Sequence, residues 1–320
     1  MKISIIGATG LVGREIIKIL SEKNLINGNT IYLYASEKSA GKKLKVGSKF
    51  LKVMPLSLST ILPCDFALFS AGSLVSKMFA KEFTKKGAFV IDNSSAFRRK
   101  NNVPLVVPQI NGNTITNKTK IIACPNCSTI GLVLPLFCLL KHAEIERIVV
   151  STYQAVSGAG KKAIEDLNNG TTKKLNEPIK NNLIPQIDHF LYSGNTFEED
   201  KMIYETQKIL NRKINISSTC VRVPIQNCHS ESVNITFNKP FSAKMAKNLL
   251  KNGQKIELLP LPMPTLANGS NNVFVGRIRK DYSFKNTLNM FLCFDNLRVG
   301  ASLNVVSIME YIILNKINGN

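Results

Sequence analysis

Cys127 stands in the run Ala123-Cys124-Pro125-Asn126-Cys127-Ser128-Thr129-Ile130, where a strand pattern gives way to a helical one. Pro125 cannot donate to a sheet ladder and closes the apolar strand over 120–123. From Ser128 onward Ile130, Leu132, Val133, Leu134, Leu136 and Phe137 follow helical spacing. A thiol at such a turn lies beside the unpaired N–H groups and the positive end of a helix. That field eases loss of its proton, and the thiolate is the reactive form. Most cysteines are inert core residues, so the thiol needs partners. His229, one of three histidines with His142 and His189, suits acid/base work because its ordinary pKa lies near neutrality. Arg222 closes a strand before Pro224, and the next strand starts near Glu231; read as a hairpin, this brings Arg222 and His229 to one end. Thr196-Phe197-Glu198-Glu199 fits a capping box that opens a helix to about Leu210. Glu198 and Lys201 then share a helix face; taken alone, such a pair is a solvated contact of little worth.

Cys124 and Cys127 also form a C-x-x-C. Zinc needs four ligands, and the sequence has no second C-x-x-C or H-x-x-H, so no metal is expected. A thioredoxin-like pair would suit a βαβ setting but leaves the rest of the chain unexplained.

The elements that must position these groups begin at the N-terminus. A strand over 2–6 runs into Gly7-Ala8-Thr9-Gly10-Leu11-Val12-Gly13, and a helix follows to about Leu20. In that setting Gly7 permits a tight turn, Gly10 lets a phosphate reach backbone N–H groups, and Gly13 lets the helix pack on the strand. The spacing is G-x-x-G-x-x-G rather than the commoner G-x-G-x-x-G, and a ligand-free βα turn is the alternative. A strand over 30–35 ends at Ser36-Glu37-Lys38-Ser39. NAD sites usually carry an acid there; Ser36, Lys38 and Ser39 suit the 2′-phosphate of NADP, while Glu37 leaves NAD open. Two further units, 65–72 ending in Ser70-Ala71-Gly72 and 87–92, repeat the strand–turn rhythm. The expectation is an α/β fold with a doubly wound, Rossmann-type parallel sheet, its ligands at the C-terminal strand ends: Ser70–Gly72, Asn93–Arg98 and Cys127 along one rim. After Leu140 longer strands, over 145–153, 217–223, 231–237, 272–279 and 287–294, predict a second α+β domain with a mixed, largely antiparallel sheet. The span 168–182, rich in Asn, Lys and Thr, reads as a mobile surface loop, and 299–315 as an apolar helix returning to the first domain. The domains are then 1–126 with 297–320 for the cofactor and 127–296 for catalysis and dimerisation.

The 320-residue chain is 44% hydrophobic, with no apolar run of membrane-spanning length and no signal-peptide pattern. Its seven cysteines, an odd number without an export signal, fit a reducing compartment. No membrane association and a cytoplasmic location are expected. The net charge is +21. The lysines are scattered, in runs no longer than Lys42-Lys43 or Lys173-Lys174, which argues against nucleic acid as a partner. The positive field still favours anionic substrates and cofactors.

Taken together, GATGLVG, ASEKSAGK, FSAG, DNSSAFR, PLVVPQIN, PNCSTI, STYQAVSGAG, EEDKM…ET, CVRVP…CHSES and DNLRVGAS resemble, in order and spacing and nearly end to end, the bacterial aspartate-semialdehyde dehydrogenases. The resemblance implies conversion of L-aspartyl 4-phosphate and NADPH to L-aspartate 4-semialdehyde, NADP and phosphate, on the route to lysine, diaminopimelate, methionine and threonine. It implies Cys127 as nucleophile and thioester carrier, His229 as acid/base group and Gln154 as the group orienting the substrate. Arg222 would clamp the substrate carboxylate with its planar fork, and Glu198 would take the amino group. Arg98 and Lys201 would bind phosphate. NADP(H) would be held by Gly7, Thr9, Gly10, Leu11, Val12, Ser36, Lys38, Ser39, Ser70, Ala71, Gly72, Ser157, Gly158 and Asn296. The implied assembly is a homodimer, or a dimer of such dimers. The departures from the family pattern are Lys38 for arginine, Cys124 for asparagine, Ser73 for glycine and Arg298 for lysine; none removes a catalytic group. Two rivals remain: a reductase of N-acetyl-glutamyl phosphate, which needs no group for a free amine, and a non-catalytic dinucleotide sensor, which needs none of Cys127, Gln154, Arg222 and His229.

Overall fold

The structure, a computed structural model, describes residues 1–317. They fall into two compact units: residues 1–125 with the segment from Ala301 on, and Asn126–Gly300. The first domain expected from the sequence runs to 320, and its last three positions lie outside the described residues.

The first unit carries β1 (Lys2–Ile6), β2 (Thr30–Ala35), a small hairpin of β3 (Lys43–Val46) and β4 (Lys49–Lys52), then β5 (Met54–Pro55), β6 (Phe66–Phe69), β7 (Phe89–Asp92) and β8 (Ile121–Ala123). Apart from the hairpin, the strands form one sheet in the order β5-β2-β1-β6-β7-β8, parallel throughout. Near-continuous apolar strands are what a sheet covered on both faces requires. Ile3 and Ile5 point to one face, against Ile16 and Leu20 of α1 (Leu11–Glu22) and Val305, Ile308 and Met309 of the C-terminal helix Leu303–Leu314. Ile6, Ala67 and Phe69 belong to the core on the other face, with Ala80 and Phe83 of α2 (Ser73–Lys85). A short α3 (Pro108–Asn111) leads toward β8. The strand order reverses between β1 and β6, and this switch point is where such sheets open a crevice for ligands. Two turns stand there. Gly7 has φ +85°, and a Cβ on it would come within 2.7 Å of the Ser70 carbonyl oxygen. A Cβ on Gly13 would lie 2.2 Å from the Gly7 carbonyl oxygen, so helix and turn touch through backbone.

The second unit carries β9 (Ile145–Gln154), β10 (Asn215–Arg222), β11 (His229–Phe237), β12 (Ile256–Leu258), β13 (Val273–Lys280) and β14 (Thr287–Phe294), in the order β10-β9-β11-β14-β13-β12. The three inner pairings are antiparallel, and the outer two, β10 with β9 and β12 with β13, are parallel. The sheet is mixed. Its helices are α4 (Cys127–Leu140), α5 (Lys161–Asn169), α6 (Phe197–Leu210), α7 (Ala243–Lys251) and α8 (Pro264–Ala267).

Three local expectations need correction. Arg222 and His229 do not sit on a hairpin: β9 lies between their strands, with Arg222 opposite Gln154 and Ser230 opposite Tyr153. They still reach one end of the sheet, because β10 runs parallel and β11 antiparallel to the same strand. The span 168–182 is irregular but anchored: the Asp166 carboxylate accepts the Thr171 hydroxyl and the N–H groups of Lys173, Lys174 and Leu175, and Ile179 is buried. These bonds outweigh the effect of burial and hold that carboxyl down at about 2. The final helix begins later than expected, at Leu303, after a wider turn over Arg298–Ser302.

Gly13→Ala should lower the thermal midpoint of unfolding, at a cost of about 1–3 kcal/mol, the usual toll of forcing a methyl into a packed contact. The Gly13 backbone is helical, so the effect is steric alone. A midpoint equal to wild type would show that α1 does not bear on the turn this closely.

Candidate active site

Cys127 is the first residue of α4. Asn126 caps the helix, its side-chain oxygen accepting from the Ser128 N–H at 2.8 Å. Cys127 is partly exposed, and its Sγ lies 3.2 Å from Nε2 of His229, 102 residues on.

The His229 ring is fully buried at the start of β11, with the Phe294 ring edge-on beside it. Its Nδ1 accepts the backbone N–H of Ala155 at 3.0 Å. An acceptor at Nδ1 puts the neutral ring's proton on Nε2, so the ring presents N–H to the sulfur. Burial, and then the Arg222 charge, push its pKa down to about 3; the ring is neutral at working pH. The residue before it, Cys228, has φ +75° and donates its N–H to Oδ1 of Asn296 at 2.8 Å. Asn296 Nδ2 donates in turn to Ser157 Oγ at 2.9 Å. Ser157 and Asn296 therefore meet each other and brace the turn that delivers His229. Space at Gly158 is tight: a Cβ would stand 3.2 Å from an Arg222 nitrogen and 3.3 Å from the imidazole.

The last residues of β10 and β9 and the first of β11 form one row: Arg222, Gln154, His229. Arg222 is buried and donates to the Ala155 carbonyl at 2.8 Å. Glu198, on α6, is buried too. Its Oε2 lies 2.6 Å from Lys201 Nζ, and its Oε1 accepts from Asn126 Nδ2 at 2.8 Å and Gln154 Nε2 at 3.1 Å. Burial alone would raise this carboxyl; Lys201, then Gln154 and Asn126, overcome it and hold the group below the usual carboxylate range. The Glu198–Lys201 pair is thus no solvated surface contact. Lys201 also reaches Asp188, at 3.2 Å.

Sequence reasoning missed several contributors. Asn126 both caps α4 and holds Glu198; its place just before Cys127 was the available signal. Glu205 accepts the Asn126 N–H at 2.6 Å from two turns further along α6. The Ala155 backbone left no signal. Beneath the row, Glu231 is fully buried with no hydrogen bond to either side-chain oxygen, and burial pushes its carboxyl well above the ordinary range.

The first unit holds the remaining expected residues. Gly10 caps α1 and Gly72, at φ +87°, caps α2; neither cap carries a side-chain hydrogen bond, which leaves both helix starts to backbone N–H groups. Ser36, Lys38 and Ser39 lie at the end of β2, with Ser36 and Lys38 exposed. Thr9, Leu11 and Val12 line the first turn and Ser70 and Ala71 the second. A dinucleotide fits this arrangement: the Gly7–Ser70 approach leaves no room for side chains at the crevice floor, and backbone N–H groups stand free of side-chain caps at both helix starts. Arg98 is buried, its Nε donating to the Ser94 carbonyl at 3.1 Å and its Nη2 to that of Asn93 at 3.0 Å.

Two family profiles cover most of the chain. "Semialdehyde dehydrogenase, NAD binding domain" matches residues 2–118, and "Semialdehyde dehydrogenase, dimerisation domain" matches 136–299. The aspartate-semialdehyde dehydrogenase of Aquifex aeolicus is 44% identical, over 98% of both chains. The crystal structure of aspartate semialdehyde dehydrogenase II from Vibrio cholerae complexed with ASA superposes with a TM-score of 0.94 at 37% identity, covering 98% of each chain. The Candida albicans aspartate semialdehyde dehydrogenase, solved with NADP, superposes at 0.81 with 26% identity over 99% of each chain. Among the described residues no helix is long and apolar enough to cross a membrane.

Nitrogen-15 spectra of histidine-labelled protein should show one imidazole as the neutral Nε2–H tautomer from pH 8 to below pH 5. Titration of that ring with a midpoint above 6 would refute the assignment. Between about pH 3 and the unfolded value of about 6.5 the unfolded chain binds a proton that native His229 does not, so stability is lost as pH falls through that window. His229→Gln should make the decline shallower.

Proposed function

Because the chain belongs to the aspartate-semialdehyde dehydrogenase family, we propose that it converts L-aspartyl 4-phosphate to L-aspartate 4-semialdehyde, with release of phosphate, through an acyl-thioester on Cys127. The observation that carries this is the Cys127 Sγ–His229 Nε2 contact of 3.2 Å, set beside a row holding both a buried cation and, through Gln154, a buried carboxylate. NADPH, when bound, supplies the hydride. In this reading it is held by Gly7, Thr9 to Val12, Ser36, Lys38, Ser39 and Ser70 to Gly72, with Ser157, Gly158 and Asn296 assigned to the nicotinamide end. NADP is favoured over NAD because Ser36, Lys38 and Ser39 end β2 where an acid would suit the ribose hydroxyls.

The Cys127 thiolate attacks the acyl carbon: a C–S bond forms, the C–O bond to phosphate breaks, and Arg98 and Lys201 take up the leaving charge. A thioester carbonyl accepts hydride far better than a carboxylate. The Nε2–H of His229, already pointing at Sγ, donates to the oxyanion that develops next to that sulfur. The C–S bond then breaks, the aldehyde leaves and the thiolate is restored. His229 thus serves on the acid side of the chemistry. A ring whose Nδ1 is taken by Ala155 has no lone pair to offer the thiol, which narrows the acid/base role the family pattern implies. Arg222 binds the substrate carboxylate in bidentate fashion, Glu198 its ammonium, and Gln154 orients it. The chain is read as a homodimer built through the second unit, whose profile is described as a dimerisation domain, and as cytoplasmic.

The amine-free substrate of an N-acetyl-glutamyl phosphate reductase would leave the Glu198 carboxylate facing no cation of the substrate, which favours the aspartyl compound. Phosphate-dependent reduction of NADP with aspartate semialdehyde, and none with N-acetyl-glutamate semialdehyde, is the expected result. Preference for the acetylated aldehyde would overturn the assignment.

Cys127→Ala should abolish turnover while NADPH still binds in a fluorescence titration; retained activity would end the thioester mechanism. Arg222→Lys should lower kcat/KM for the semialdehyde about 10- to 100-fold, as expected for one lost charge-assisted hydrogen bond. An unchanged kcat/KM would remove the clamp role.

A further inference from the structure

The proposed phosphate ligand Arg98 sits at the end of a loop, residues 93–97, with a buried carboxylate at its root. Asp92, the last residue of β7, has no solvent exposure. Its Oδ1 accepts the Ser76 hydroxyl at 2.6 Å and the Ser94 N–H at 3.1 Å, and its Oδ2 accepts the Ser94 hydroxyl at 2.8 Å. The Ser94 oxygen accepts the Ala96 N–H at 3.1 Å, so the loop is wound around the carboxylate. With N–H and hydroxyl of Ser94 held inward, the carbonyls of Asn93 and Ser94 are those that take Arg98 Nη2 and Nε. Ser76 also reaches the Gly72 carbonyl, at 3.2 Å, which fixes the carboxylate to the start of α2.

The geometry points to Asp92 as a positioning residue for phosphate: through Ser94 it fixes the two carbonyls that aim the Arg98 guanidinium. This rests on Arg98 binding phosphate, as proposed above. Three donors converge on Asp92, and a carboxylate accepts all three. An amide offers one acceptor oxygen and turns an NH2 toward Ser94, whose hydroxyl proton then loses its acceptor. Asp92→Asn therefore loosens the loop without changing any group that meets the substrate.

The test is semialdehyde oxidation by the full chain with phosphate varied, in Asp92→Asn, Ser94→Ala, Arg98→Lys and the double variant Asp92→Asn/Arg98→Lys. Asp92→Asn should raise KM for phosphate about 5- to 10-fold, the size of one or two lost hydrogen bonds, with KM for NADP and the semialdehyde within about twofold. Ser94→Ala should raise the same constant less and stands in if the Asp92 variant fails to fold. The double variant should be no worse than Arg98→Lys alone, because the effect passes through Arg98. If Arg98→Lys leaves KM for phosphate unchanged, the phosphate reading of Arg98 fails. If Arg98→Lys raises it while Asp92→Asn and Ser94→Ala do not, or move all three Michaelis constants together, the positioning role fails and Asp92 serves the fold alone.

Discussion

A carboxylate taken out of water stays charged only if its neighbours hold it, and in the second unit that condition falls on Glu198. An unpaired buried charge would neutralise itself. Lys201 supplies the counter-charge from the same helix, while Asn126 and Gln154 supply directed N–H groups from other elements. Each partner is thereby placed. Asn126 cannot serve Glu198 without fixing the start of α4, and so the backbone of Cys127. Gln154 cannot serve it without fixing the end of β9, and so the row that contains Arg222 and His229. The polar network that keeps one carboxylate ionised sets the spacing of the thiol, the cation and the imidazole.

The sheet does the rest by register. β9 is the common neighbour of β10 and β11, parallel to one and antiparallel to the other. A slip of one residue in either pairing would turn Arg222 or His229 to the opposite face. The core beneath the row makes such a slip costly, since alternate residues of β11, Val233, Ile235 and Phe237, are buried with His229. Glu231 lies on that same face, with no hydrogen bond to either carboxyl oxygen.

Much of this was readable before any coordinates, and the boundary is physical. Patterns carried by contiguous residues survived: the strand–turn–helix at Cys127, the Thr196–Glu199 capping box, the glycine turn after β1 and the run of parallel strands. What failed depended on partners distant in the chain. Nothing between Arg222 and His229 shows that a strand some 70 residues earlier inserts between theirs. The i,i+3 spacing of Glu198 and Lys201 is the same on a wet surface as in a buried site, and only the packing of α6 on α4 distinguishes them. The Asn-, Lys- and Thr-rich span after Asp166 has the composition of a loose loop, yet one carboxylate gathers its N–H groups. The amide of Ala155, which fixes the tautomer of His229, carries no side-chain signature at all.

That amide bears on how charge is distributed in the proposed reaction. An imidazole open at Nε2 would form a thiolate–imidazolium pair, with a second cation beside the buried Arg222. Burial and Arg222 both oppose that cation, and the Ala155 N–H occupies the nitrogen that would have to carry the proton in the other tautomer. In the proposed reaction the fixed charges, Arg222 and Glu198, are thereby reserved for the two ends of an amino-acid substrate. At the reacting sulfur the site places a neutral donor. A neutral N–H stabilises an oxyanion without having to surrender its proton, and it does not compete as a cation with the substrate's ammonium for Glu198. The division follows from burial: two opposite charges held by partners are stable in this interior, and a third, on the buried ring at the end of the row, is not.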